Sequence, residues 1–195
     1  MDYTEGTEEL KVNRAKKMML WFGIVSLSMS FAGFTSAYVI SRKTQPNWLS
    51  DFELPQAFYI SLGVIMLSSI TIHFAKVYIK KEANSKAMLL LIATFLLGVV
   101  FIWFQIKGFS EIIESYGYNP TGPTSNIKVT FIYLIATVHI GHVVAALISV
   151  LVVIYNHYKL KYINGKTLGI EQAATFWHFV DILWIYLFLF FYLFR

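Results

Sequence analysis

The 195-residue chain contains no cysteine, which excludes disulfides and thiolate metal sites. Charge is scarce as well. Asp, Glu, Lys and Arg make up 14% of the residues, against about a quarter in a soluble domain, so the chain has too little polar surface to cover itself with. No internal repeat is visible, which counts against transporters built from inverted halves. No leader is expected either: residues 1–17, MDYTEGTEELKVNRAKK, are polar and mixed in charge with no cleavage pattern, and read as a cytoplasmic tail that stays on the protein. What is abundant is apolar. Hydrophobic residues reach 57% and aromatics 17%, with 17 Phe, 12 Tyr and 5 Trp, which suits a surface facing lipid tails and headgroup belts. The formal net charge of +5 has the sign expected of basic cytoplasmic loops, so nucleic acid is not the expected partner.

Five apolar stretches are long enough to cross about 30 Å of hydrocarbon at roughly 20 residues each. They run approximately over 18–40, 56–79, 87–107, 129–155 and 174–194. Between them lie SRKTQPNWLSDFELP, KKEANSK, ESYGYNPTGPTSN and NHYKLKYINGKTLGIEQ, rich in turn residues and charge. The stretches are continuous rather than alternating and far longer than barrel strands, so the expected fold class is an all-α polytopic bundle of five transmembrane helices. Eleven basic residues fall on one side: Lys11, Arg14, Lys16, Lys17, Lys76, Lys80, Lys81, Lys86, Lys159, Lys161 and Lys166. Five fall on the other: Arg42, Lys43, Lys107, Lys128 and Arg195. This asymmetry predicts a cytoplasmic N-terminus and an outer C-terminus. The domain organisation expected is a tail over 1–17 and one membrane bundle over 18–195, with an outer connection of about 20 residues before the fourth span.

The spans carry unusual polar groups: His73, His139, His142, His178, Glu171 and Asp181. Ionisable residues in hydrocarbon have a function or a partner. His139 and His142, in TVHIGHVVAAL, share one helix face. They read either as a haem or metal ligand pair or, more plainly, as rings hydrogen-bonded across an interface opened by Gly141, Ala145 and Ala146. Depth favours the second reading. At about 1.5 Å per residue the pair lies roughly 20 Å or more from the cytoplasmic end, while His178 lies about 5–10 Å in, beyond the reach of one metal ion. His73 is comparable in depth to His178, and those two alone can pair. His178 and Asp181 share a face with Trp177 and Trp184. They read as a proton relay, or as groups satisfying each other, an indole N–H or a neighbouring helix. The runs SLSMSFAGFTSAY and SLGVIMLSSIT read as small-residue packing surfaces.

HIGHVVAALISV followed by GIEQAATFWHFVDILWIYLF resembles subunit III of the haem–copper oxidases, in which a His-x-x-His span precedes a Glu and then a Trp-His-Phe-Val-Asp-x-x-Trp run. The matching positions are His139, His142, Glu171, Trp177, His178, Phe179, Val180, Asp181 and Trp184, with Gln105 in LLGVVFIWFQ also fitting. The likeness covers the chain from about residue 18 onward, and the span count is that of the short bacterial members. It implies a non-catalytic chain of a cytochrome c oxidase in the bacterial cytoplasmic membrane. No cofactor or metal is then expected on this chain, with haem and copper in partner subunits. Catalytic subunit I, other oxidase subunits and membrane phospholipid are the implied partners, with a respiratory supercomplex a further setting. The implied role is to stabilise subunit I, hold lipid and support proton uptake during oxygen reduction. Two positions depart from the family pattern: Leu27 and Gly108 stand where many members carry glutamate, which favours a structural and lipid-organising role here over direct proton relay.

Other readings remain open at this point: a quinol oxidase subunit III, an accessory protein of nitric oxide reductase, a stand-alone bis-histidine haem protein and a secondary transporter. Lys159 and Lys161, beside Tyr155, Tyr158 and Tyr162, are candidate contacts for an anionic lipid headgroup.

Overall fold

The computed structural model describes residues 8–44, 53–122, 125–160, 162 and 167–194. It is all-helical, with no strand among those residues. The order is α1 (Glu8–Thr44), α2 (Gln56–Lys80), α3 (Asn84–Tyr116), α4 (Ile127–Tyr158) and α5 (Leu168–Leu193). All five are long and apolar enough to cross a membrane.

Three helix ends differ from the sequence expectation. Residues 8–17, expected to be tail, continue α1, because EELKVNRAKK is rich in helix formers and carries a Glu8–Lys11 ion pair at 3.0 Å with helical spacing. Helix α3 runs past 107 to Tyr116, which shortens the next connection to 117–126. Gly117 ends that helix in the left-handed conformation, φ 66°, with its N–H bonded to the Ile113 carbonyl at 2.9 Å, as a C-terminal cap requires. Helix α5 begins at Leu168, so Glu171 lies in its first turn, where the helix dipole favours a carboxylate. At the start of α4 the Asn126 side chain accepts from the Lys128 N–H at 3.0 Å, a conventional N-cap.

Helices α2, α3, α4 and α5 close into a ring in which each packs on the next, and α1 lies outside it in the groove between α4 and α5. Ser61–Gln105 with Thr71–Thr94, Phe101–His139 with Phe109–Tyr133, and Ser68–Trp177 with Phe58–Trp184 each run in opposite residue order, so neighbours in the ring are antiparallel. Helix α1 is parallel to α5, since Lys17 meets Glu171 and Thr35 meets Tyr186. Half of the apolar window of α5 is buried but only 17% of that of α1, so α5 is the enveloped helix. The main core gathers Phe31, Phe58, Phe101, Trp177, Trp184 and Phe191 with aliphatic neighbours from every helix. A smaller core of Ala75, Ile79, Ala87, Leu91, Val153, Ile170 and Ala173 fills the end where α2 turns into α3.

Two glycines let large rings sit against helix backbone. A Cβ at Gly98 would meet Leu147 Cδ2 and Trp177 Cη2, each at 2.7 Å. A Cβ at Gly108 would run into the ring of Phe58, which is buried and edge-on to Trp184. The Leu147 tip can rotate away, but the indole cannot, because its N–H is hydrogen-bonded. Gly98→Ala and Gly108→Ala are therefore expected to lose about 1–3 kcal/mol to overpacking, partly offset by the better helix propensity of alanine. Thermal denaturation of the purified protein in mild detergent checks this, with Gly141→Ala, whose position is open, expected to be neutral or better.

Candidate functional site

In a hydrocarbon environment a polar side chain is satisfied within the protein or left bare, so the partners of each buried group decide what it can do. Helix α2 supplies most of them through Ser61, Ser68, Ser69 and Thr71. Ser61 Oγ accepts from Gln105 Nε2 at 2.9 Å and donates to the Phe58 carbonyl at 2.8 Å. Ser68 Oγ accepts the indole N–H of Trp177 at 2.7 Å. Ser69 Oγ lies 2.7 Å from His178 Nδ1. The Thr71 and Thr94 hydroxyls meet at 2.8 Å. The sequence marked this run only as a small-residue surface. The Ser61–Ser68 spacing of two helical turns was the available signal for a hydroxyl row.

Of the partners the sequence left open for His178 and Asp181, the structure gives His178 a neighbouring helix, and the two do not bond each other. His178 turns to Ser69 across the α2–α5 seam, and the Trp177 N–H goes to Ser68. Asp181 is 3% exposed, and neither carboxylate oxygen has a hydrogen-bond partner among the described residues. The Ser69 hydroxyl is the polar group beside that carboxyl, close enough to interact but without a closed hydrogen bond. His73 stands opposite His178, with ring centroids 6.2 Å apart. The two rings, with Ser69, Ile70 and Phe74, line an open pocket of about 410 Å³.

His139 and His142 also differ from expectation. His139 is fully buried, stacked on Trp184 at 5.1 Å and 24°, with Phe101 and Phe31 edge-on at 6.0 and 6.3 Å. Neither of its ring nitrogens is hydrogen-bonded among the described residues. His142 Nδ1 donates to the Val138 carbonyl of its own helix at 2.8 Å and packs on Phe31. Gly141 and Ala145 are exposed and only Ala146 is buried, so ring packing on α1, α3 and α5 takes the place of the expected cross-interface hydrogen bonds.

Glu171 gathers three helices at one end. Its Oε1 pairs with Lys80 Nζ of α2 at 2.9 Å and its Oε2 faces Lys17 Nζ of α1 at 3.6 Å. The Thr167 hydroxyl donates to Oε1 at 3.2 Å. At the opposite end Glu111 Oε2 accepts the Ala57 N–H at 3.4 Å, placing a carboxylate at the start of α2. The fifth histidine, His157, donates from Nε2 to the Asn84 carbonyl at 3.1 Å. Lys159 folds over the exposed ring of Tyr155, 5.6 Å from its centroid, and Lys161 lies outside the described residues. Leu27 is half-buried on α1. The place of a side chain at Gly108 is taken by Phe58. No group of three or more His, Asp or Glu side chains among the described residues could hold a metal ion.

The Trp177–Ser68 bond is a buried link across the α2–α5 seam. In a double-mutant cycle of Trp177→Phe and Ser68→Ala, unfolding free energies in detergent are expected to show a coupling of about 0.6 kcal/mol and no more than roughly 1.7.

A sequence model of the family described as cytochrome c oxidase subunit III matches residues 4–195. The chain is 28% identical over 188 residues to the cytochrome bo(3) ubiquinol oxidase subunit 3 of Buchnera aphidicola subsp. Acyrthosiphon pisum, covering 94% of this chain and 89% of that protein. It is 30% identical over 176 residues to the corresponding protein of Buchnera aphidicola subsp. Baizongia pistaciae, covering 89% of each. Against the cytochrome c oxidase subunit 3 of Thermostichus vulcanus it is 28% identical over 168 residues, covering 85% and 80%.

Proposed function

The chain belongs to the cytochrome c oxidase subunit III family, and from that premise we propose that it is the non-catalytic subunit III of a bacterial cytochrome c oxidase. It is a multi-pass membrane protein of five helices, in a family that carries no metal centre of its own. Its place is the cytoplasmic membrane with the N-terminus inside, beside a catalytic subunit I that holds haem and copper. There it stabilises that subunit and supports proton uptake. The observation that carries this reading is the match over nearly the whole chain, together with histidines engaged by aromatic rings and by serine rather than converging on a cofactor. Relatives named as ubiquinol oxidase subunits support a second reading, a quinol oxidase subunit III, which differs in the electron donor.

A mild-detergent pull-down through a tag on this chain, followed by a reduced-minus-oxidised visible spectrum, tests the assignment. A haem-bearing large subunit is expected to arrive with the chain, with oxygen uptake driven by reduced cytochrome c; uptake driven by quinol alone favours the second reading. A chain that comes alone and colourless overturns both. A chain that comes alone but red makes it a haem protein in its own right.

Lipid belongs to the same proposal. An open groove of about 400 Å³ between α1, α4 and α5, lined by Leu20, Val152, Phe176, Asn156, Tyr162 and Gln172, offers an apolar bed with a polar rim. Lys159, exposed at the C-terminal end of α4, would supply positive charge for an anionic headgroup. Replacing Lys159 and Lys161 by alanine is expected to lower the anionic phospholipid that co-purifies with the complex. Unchanged lipid content removes these lysines from the site.

A further inference from the structure

Glu171, Thr175, His178 and Asp181 follow one another along α5 at spacings of four, three and three, which places them on one helical face. Across the seam α2 answers with Lys80, Lys76, His73 and Ser69, at spacings of four, three and four. Lys80 is bonded to Glu171. Lys76 lines the same polar pocket as Glu171 and Thr175. His73 faces His178, and Ser69 touches His178 and adjoins Asp181. Two open pockets follow one another along this seam, one at Glu171 and the next at His178. Beyond Asp181 the seam closes on aromatic rings: Phe58 against Trp184 and Tyr59 against Phe188. The ladder is therefore open at the lysine-rich end and blind at Asp181.

We propose that this seam is a one-ended proton-loading path, in which His178 and Ser69 carry protons between water in the pocket at His73 and a terminal proton-binding site at Asp181. An unpaired carboxyl in a dry interior takes up a proton rather than keep a bare charge, and among the described residues Ser69 and His178 link it to the pocket at His73. The transfer balances. A proton from water adds to Nε2 of a neutral His178 ring protonated at Nδ1. The Nδ1 proton moves to Ser69 Oγ, and the Ser69 hydroxyl proton passes to a carboxylate oxygen of Asp181 after one rotation about the serine side-chain bond. Nothing is oxidised, and the ring is left as the other neutral tautomer. Helix α5 packs against α1, α2 and α4. The titratable and charged groups they turn toward the path are His73, Lys76 and Lys80 of α2, Lys17 of α1, held at Glu171, and His139 of α4, on the far side of Trp184. The dead end makes this a place where a proton is held about 15 Å inward of Glu171, rather than a route across the membrane.

The inference deepens the proton-uptake role proposed above, but its test is made on this chain, so failure of an oxidase complex to assemble speaks against the assignment and not against the path. The test is infrared spectroscopy of the purified, detergent-solubilised protein in H₂O and after transfer to D₂O. The expected result is a protonated-carboxyl C=O band that moves on deuteration and is missing in Asp181→Asn, with Ser69→Ala and His178→Phe keeping the band but slowing its exchange by roughly a hundredfold. His73→Ala, outside the transfer itself, is expected to leave the band in place. A band that survives in Asp181→Asn overturns the proposal. So does exchange as fast in Ser69→Ala and His178→Phe as in the unaltered protein, and these two variants decide the matter if Asp181→Asn does not fold.

Discussion

The arrangement of this bundle depends on the seam between α2 and α5. Helix association within lipid has no bulk hydrophobic driving force, because lipid tails are as apolar as leucine. Register must then come from close packing and from polar groups that have nowhere else to bond. Ser68 with Trp177 and Ser69 with His178 are consecutive residues on each helix, so a slip of one residue along the seam would break both bonds together. The same face of α2 continues to Gln105 through Ser61 and to Thr94 through Thr71, which sets α3 on the other side. Two of the other three ring helices are thus positioned by hydroxyls of α2.

Aromatic packing holds what the hydroxyls do not reach. Trp184 is enclosed by His139 face-on and by Phe58 and Phe101 edge-on, arrangements favoured by the charge distribution of the rings. His139 serves here as a flat ring of suitable size, and the histidine pair of the fourth span contributes shape where the sequence had favoured hydrogen bonds across an interface over ligation. Helix α1 is held more lightly, by Phe31 against both histidines, by the Thr35–Tyr186 hydroxyl contact and by Lys17 at Glu171. Most of its small residues, Ser26, Ser30, Ala32, Gly33 and Ser36 among them, remain exposed.

Glu171 and Asp181 show how position divides two carboxylates on one helix. Glu171 sits in the first turn, partly exposed, with two ammonium groups and a hydroxyl around it. Asp181 lies nearly three turns further along in a dry aromatic setting with no closed hydrogen bond among the described residues. One ties helices together at a boundary where charge is cheap to keep; the other is a buried polar group whose cost is met only if it is protonated or reached by a proton.

The residues alone determined that this chain is a membrane bundle of five helices, because continuous apolar length and scarcity of charge leave lipid as the only compatible solvent. They also singled out His139, His142, Glu171, His178 and Asp181, since ionisable groups stand out in apolar runs, and residue counting along the helices paired His73 with His178 in depth. What the sequence left undecided was each group's partner. Whether His178 turns to Asp181 on its own helix or to Ser69 on another, whether His139 bonds or stacks, and whether Glu171 stands before α5 or inside it depend on the rotation and register of helices far apart in the chain. Those are set by contacts over more than a hundred residues, such as Ser68–Trp177 and Ser69–His178. A periodicity records which residues share a face; only the packed bundle says what that face meets.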